Sequence, residues 1–331
     1  MSNITSTDYL FLSAYIRARE GKLLTGERLG RMADAPDFDE SAKILAECGY
    51  PELAGASDRE LEKVFSARRE EFLADMERLC PEKALVEAFR LKYDYHNAKV
   101  LVKAEGAGVD GNDILSPSGR VAPSVLAEAW REDIWRRVPG ALASAIREAR
   151  SVLARTANPQ LSDMSLDRAY FAELMALASS IPGDFFTGWV KLSIDVANLR
   201  SAVRCIRGRM DEGVLRAALI DGGEISVSRI GKSVYGEGVQ SVFRSGRLAR
   251  AAELGQQAIE GAPLAAFERE CDDVLTRYLG DAKLTSFGPE PAVAYLAALD
   301  GEIVAARMVL LGKRSGLSPE KLRERLRESY V

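Results

Sequence analysis

Apolar residues recur at three- and four-residue spacing along almost the whole chain, and alternating β-branched runs between turns are nearly absent. This pattern predicts an all-α protein. Start and stop signals divide it into helices. Thr25 can cap a short helix that ends before Asp34. Ser57-Asp-Arg-Glu60 has the form of a capping box opening a helix to about Leu79, and Pro81 starts the next. Pro123 opens a long helix through Trp130 and Trp135, bent near Pro139-Gly140 and extending toward Ala154. Ser165 can cap Leu166 to Ser179, and Pro182-Gly183 breaks the chain before a helix carrying Trp189. Between Ile225 and Ala262, Gly231, Gly236, Gly238, Gly246 and Gly255 predict shorter helices. Ala266 to Leu279 reads as helical. Phe287-Gly-Pro-Glu-Pro291 is a sharp entry to a long helix over Ala292 to Leu311. Ser318-Pro319-Glu320 caps a final basic helix predicted to run to Val331.

Within this pattern one helical motif occurs three times: an acid, a small or amide residue three places on, then a basic residue and apolar positions. The copies are Asp94-Tyr-His-Asn97-Ala-Lys99-Val-Leu-Val-Lys103, Asp195-Val-Ala-Asn198-Leu-Arg200-Ser-Ala-Val-Arg204 and Glu302-Ile-Val-Ala305-Ala-Arg307-Met-Val-Leu-Leu311. Their acids lie 101 and 107 residues apart, far beyond the usual ~20–50-residue solenoid period. Each copy runs through glycine into a loop and a new helix start. The chain therefore divides into three helical repeat domains, residues 1–110, 111–221 and 222–331. Asparagine is unfavourable inside a helix, so Asp94/Asn97 and Asp195/Asn198 point to specific polar contacts between neighbouring helices. The third copy has Ala305 where the others have asparagine, and the same contact is not expected there. Lys99/Lys103, Arg200/Arg204 and Arg307/Arg314 complement the helix C-terminal dipoles.

A length of 331 residues suits two or three domains, and a net charge of −4 marks neither a nucleic-acid binder nor an acidic tail. The charge is uneven: residues 1–90 hold 13 basic and 18 acidic side chains, whereas residues 303–331 hold 7 and 3. That asymmetry fits either orientation between partners or ordinary solvated helix faces. The start of the chain lacks a leading positive charge and a small-residue cleavage site, so no signal peptide is read there. No run approaches the ~18 apolar residues needed to cross a bilayer. A cytosolic protein, or one held at a membrane through another protein, is expected. Cys48, Cys80, Cys205 and Cys271 have no CxxC spacing and read as reduced core residues.

Candidate chemistry is sparse, and neither a cofactor nor a metal site is predicted. His96, the single histidine, has no sequence neighbour to activate and reads as a packed structural residue. Asp272-Asp273 resembles half of a magnesium-holding aspartate cluster, without the second half. Ile230-Gly-Lys-Ser233 resembles the end of a phosphate loop, but the glycine required five positions earlier is Ser226. The repeated motif is the remaining candidate, and a structural role is read for it.

Taken in order, several segments resemble the C subunit of the bacterial and archaeal V/A-type rotary ATPases, whose eukaryotic counterpart is the d subunit. They are Arg17-Ala-Arg19-Glu-Gly-Lys-Leu23-Leu24-Thr25, Asp167-Arg-Ala-Tyr170-Phe171, Asp195-Val-Ala-Asn198-Leu199-Arg200, and the run from Phe287-Gly-Pro-Glu290 through Glu302, Arg307 and Gly312-Lys313 to Arg323-Glu-Arg-Leu326-Arg327. The resemblance spans essentially the whole chain. It implies a funnel of three similar helical bundles with pseudo-threefold symmetry and no catalytic site. It further implies a peripheral position at the cytoplasmic face of the membrane, as a socket between the D and F shaft subunits and the membrane proteolipid ring. Arg323, Arg325 and Arg327 are the candidate partner-facing residues. Glu320, Glu324 and Glu328 accompany them at helical spacing, so a salt-bridged solvated face is the competing reading. The alternatives to a rotary component are a generic helical-repeat adaptor or, further off, a soluble all-α enzyme with convergent carboxylates.

Overall fold

The computed structural model describes residues 4–331; Met1, Ser2 and Asn3, part of the stretch read above for a leader, lie outside the described residues. The described residues form sixteen α-helices and four short 3-10 turns, with no strand. In chain order the helices are α1 (Leu10–Glu20), α2 (Gly26–Asp34), α3 (Phe38–Ala46), α4 (Asp58–Leu79), α5 (Lys83–Ala107), α6 (Pro123–Glu132), α7 (Gly140–Thr156) and α8 (Pro159–Ser180). Then follow α9 (Phe185–Arg207), α10 (Glu212–Ala218), α11 (Val227–Glu237), α12 (Val239–Val242), α13 (Ala249–Ile259), α14 (Leu264–Gly280), α15 (Pro289–Arg314) and α16 (Pro319–Arg325). The all-α expectation is met.

Tertiary contacts gather the chain into two compact units. The first joins the chain up to Lys83 with Arg244–Val331; the second is Ala84–Phe243. The first unit is organised around α15, which packs against α1, α2, α3, α4 and α14. Ala292, Ala294, Ala298, Ala305 and Ala306, with Val293, Leu296, Leu299, Ile303, Val309 and Leu310, are buried around most of its circumference. A helix apolar all round belongs in an interior. Phe72 of α4 meets Tyr295 with ring centroids 4.5 Å apart. In the second unit α7 packs along α8, and α9 packs against α8, α10, α11 and α12. Phe89, Phe186 and Trp189 stack there within 6.0 Å.

The capping signals mostly act as expected. Thr25 accepts from the Arg28 N–H, and Ser57 and Glu60 form the capping box of α4. Gly238, at φ 80°, ends α11, and the glycine-rich stretch beyond Ile225 does break into short helices. Three expectations fail for local reasons. The helix from Pro123 stops at Asp133, which adopts a left-handed φ of 54°, and the chain restarts at Gly140, so a bend is replaced by a break. Ser165 lies inside α8, because Asn158 caps that helix earlier through the Gln160 N–H and Pro159 fills its first turn. The final helix ends at Arg325. Leu326 turns extended, and residues 326–331 lie along α14, where Asp273 accepts the Glu328 N–H at 2.7 Å.

Candidate functional site

The first two copies of the repeated motif build the same joint, and the third keeps its acid half. In the first copy Asn97 Nδ2 donates to the Ser116 carbonyl at 2.9 Å, and the Ser116 N–H donates back to Asn97 Oδ1 at 2.7 Å. One turn away Asp94 Oδ1 accepts from the Val121 N–H at 3.0 Å. In the second copy Asn198 brackets Ile220 in the same two bonds, each 2.8 Å, and Asp195 accepts from the Ile225 N–H at 3.2 Å and the Glu224 N–H at 2.9 Å. Each asparagine holds the start of the loop and each aspartate its end, directly before the N-cap of the next helix, Ala122 for α6 and Ser226 for α11. A Cβ at Gly119 or Gly223 would fall inside van der Waals contact of the aspartate oxygen. Only glycine lets the loop approach this closely.

In the third copy Glu302 accepts the Leu24 N–H at 2.6 Å and the Tyr50 hydroxyl at 2.6 Å. Leu24 precedes Thr25, the N-cap of α2. The acid thus holds the same position before a helix start, but this segment comes from the beginning of the sequence. The loss of asparagine argues against the contact in the third copy, yet its acid half is present. The asparagine half is absent for a topological reason: the segment following α16 leaves along α14, so no loop end needs bracketing at Ala305.

The likeness extends to the helix ends. Fourteen residues beyond each acid stands a left-handed residue, Gly108 at φ 68°, Arg209 at φ 52° and Gly316 at φ 69°. The next N–H returns to the helix in each case: Val109 to Ala104, Met210 to Cys205 and Leu317 to Gly312, at 2.9–3.0 Å. Sixteen residues beyond each acid stands a capping side chain, Asp110, Asp211 or Ser318, each accepting a backbone N–H. The equal offsets were readable from the sequence; the partners Tyr50, Arg120 and Leu24 were not, since they lie at unrelated positions.

Burial governs the electrostatics. The Asp94, Asn97, Asn198 and Asp195 side chains are almost fully enclosed. Loss of hydration raises the Asp94 pKa against the opposing pull of Arg120, whose Nε donates to Asp94 Oδ2 at 2.7 Å. Burial pushes Asp195 up to about 6, with only the Ile225 and Glu224 N–H groups opposing it. Glu302 is likewise raised by burial, and Tyr50 and Leu24 oppose that.

The basic residues of the motif serve as cross-links. Lys99 pairs with Asp167 and Lys103 with Asp163 of α8, both at 2.6 Å. Lys99 lies two turns before the end of α5, so the dipole reading fails for it. Arg307 pairs with Glu62 at 2.6 Å and lies over the Phe65 ring. Arg200 is half-buried on α9. Arg323 pairs with Asp34 through Nε at 2.7 Å, and Arg327 pairs with Asp272 at 2.9 Å. Arg325 is exposed at the end of α16. Asp272-Asp273 therefore holds the 326–331 segment, Asp273 with its pKa pushed up to about 6 by burial. His96 lies exposed on α5, contrary to the packed reading. Gly231-Lys232-Ser233 lies within α11 and has no loop to wrap a phosphate. The four cysteines are free and buried. Among the described residues no group of three or more His, Cys, Asp or Glu side chains is placed to hold a metal ion, and no helix is long and apolar enough to cross a membrane.

The geometry defines a helical scaffold whose distinguishing chemistry secures its own joints. Residues 12–325 match the ATP synthase (C/AC39) subunit family, and the chain belongs to that family. It is 27% identical over 326 residues to the C subunit of the V-type sodium ATPase of Enterococcus hirae, covering 98% of this chain and 99% of that one. It is 24% identical to the C subunit of the A-type ATP synthase of Pyrococcus horikoshii, covering 97% and 91%, and 23% identical to that of Methanocaldococcus jannaschii, covering 96% and 86%.

Proposed function

We propose that this chain is the non-catalytic central-stalk component of a V/A-type rotary ATPase. It couples a shaft of D and F subunits to the membrane proteolipid ring, in ion transport linked to ATP synthesis or hydrolysis. The observation that carries this reading is the family match from residue 12 to residue 325. Two full joints and a third that keeps the acid contact support a triplicated build, with domains 1–110, 111–221 and 222–331 related by a pseudo-threefold axis. Repeated surfaces about one axis suit a socket between a shaft and a ring that turn together. On this reading the chain sits at the cytoplasmic face of the membrane through the ring, binds no cofactor and no nucleic acid, and offers Arg325, with Arg323 and Arg327, toward a partner. Affinity purification of the tagged chain from detergent-solubilised membranes tests it. Recovery of both shaft and ring proteins is expected; recovery of neither rejects the proposal. Charge reversal at Arg323 and Arg327 that leaves assembly intact rejects the arginine surface alone.

A further inference from the structure

The two joints of the second unit share one design but differ in what secures them. At the first, the Arg120 guanidinium is inserted between Asp94 and Glu173 of α8, with bonds of 2.7 and 2.8 Å, and is itself 15% exposed. Arg90, also buried, donates to the Ser118 carbonyl at 3.1 Å. Val121 is buried. At the second joint the residue in the place of Arg120 is Glu224, exposed and of the wrong sign, and Lys191 stands in the place of Arg90. Asp195 keeps its two backbone donors, and the net cost of holding a carboxylate away from water is offset by hydrogen bonds without a cation. A second glycine, Gly222 at φ 102°, adjoins Gly223. Ile225 is half-buried.

We infer that residues 222–225 form a hinge at which α11 moves on α9, while the equivalent segment 118–121 is locked by Arg90 and Arg120. A chain built from repeated joints then yields at a chosen one. Opening the locked joint breaks the two charge-assisted bonds of Arg120 and the Arg90 bond to the Ser118 carbonyl as well as the Val121 bond to Asp94. Opening the second joint at 222–225 breaks only the bonds from the Glu224 and Ile225 N–H groups to Asp195, with no guanidinium to part from. The inference does not depend on the rotary role proposed above.

Hydrogen exchange of the full-length chain at neutral pH, resolved to the Val121 and Ile225 amides and corrected for intrinsic rates, tests the hinge without any substitution. The Ile225 amide is expected to exchange at least tenfold faster than Val121. Glu224→Arg, which returns a cation to the joint, is expected to shrink that ratio to threefold or less. Equal protection at the two amides in the native chain, or a ratio that Glu224→Arg leaves unchanged, overturns the inference.

Discussion

Replacing Asn198 with alanine isolates the asparagine half of the joint. The substitution removes the donor to the Ile220 carbonyl and the acceptor of the Ile220 N–H, both at 2.8 Å. Asn198 is 0% exposed and Ile220 5%, so water has no route to either backbone group. An unpaired buried donor or acceptor costs about 1–3 kcal/mol, and two of them give an expected loss of about 3–5 kcal/mol. Asn97→Ala breaks the same two bonds at Ser116, which is half-buried. Water reaches that residue, so about 1–2 kcal/mol is expected there. With two compact units in the chain, a single urea transition would mix their stabilities. Native-state hydrogen exchange at the Ile220 and Ser116 amides, with the urea midpoint as a second readout, reports each joint directly. A loss below about 1 kcal/mol for Asn198→Ala, or a larger loss for Asn97→Ala, would show that these bonds do not secure the joint.

Other expectations follow from the same contacts. Gly223→Ala places a Cβ against Asp195 and should cost about 2–4 kcal/mol by displacing a charged acceptor of two N–H groups, whereas Gly21→Ala, with nothing within 4 Å, should leave the melting temperature unchanged or slightly raised; equal effects would contradict the close-approach argument. Asp195 has a native pKa of about 6 against 3.8 without burial. Its contribution to stability is therefore fully present below about pH 4 and lost as pH rises through about 6, by about 3 kcal/mol. Asp195→Asn should flatten that part of the stability profile of the second unit, and an unchanged slope would count against the assignment. Glu302→Ala should destabilise the first unit by about 3 kcal/mol, by leaving the Leu24 N–H and the Tyr50 hydroxyl unpaired; Tyr50→Phe should cost less, and thermal melts of both variants check the order.

The helices were legible because burial on one face imposes a 3.6-residue period, and caps such as Thr25 and Ser57 act within four residues. The break at Asp133 was not legible, since a non-glycine residue in a left-handed conformation carries no sequence mark. Nor was the early start of α8, where Asn158-Pro159 outcompeted Ser165 for the cap. The acids and asparagines of the joint announced themselves as polar residues in helices that otherwise bury apolar ones. Their partners are not neighbouring helices, as expected, but chiefly backbone groups in loops, with the Arg120 and Tyr50 side chains added at two of the acids, and no side-chain pattern names them. The third copy shows the limit most clearly. Its loss of asparagine at Ala305 reads as a lost contact, yet Glu302 reaches a segment 278 residues away in sequence, and only the folded topology brings Leu24 to it. Arg323, Arg325 and Arg327 read as a partner-facing surface or a face salt-bridged by its own glutamates, but Arg323 pairs with Asp34 of α2 and Arg327, beyond the end of α16, with Asp272 of α14.

The central claim, that this chain transmits rotation and does not itself turn over ATP, is tested most directly by deleting it and assaying membrane vesicles for ATP hydrolysis and ATP-driven ion uptake together. Hydrolysis by the remaining complex is expected to persist while uptake falls to background, and adding back the purified chain is expected to restore uptake. Uptake that continues at the native ratio to hydrolysis without the chain would contradict the claim.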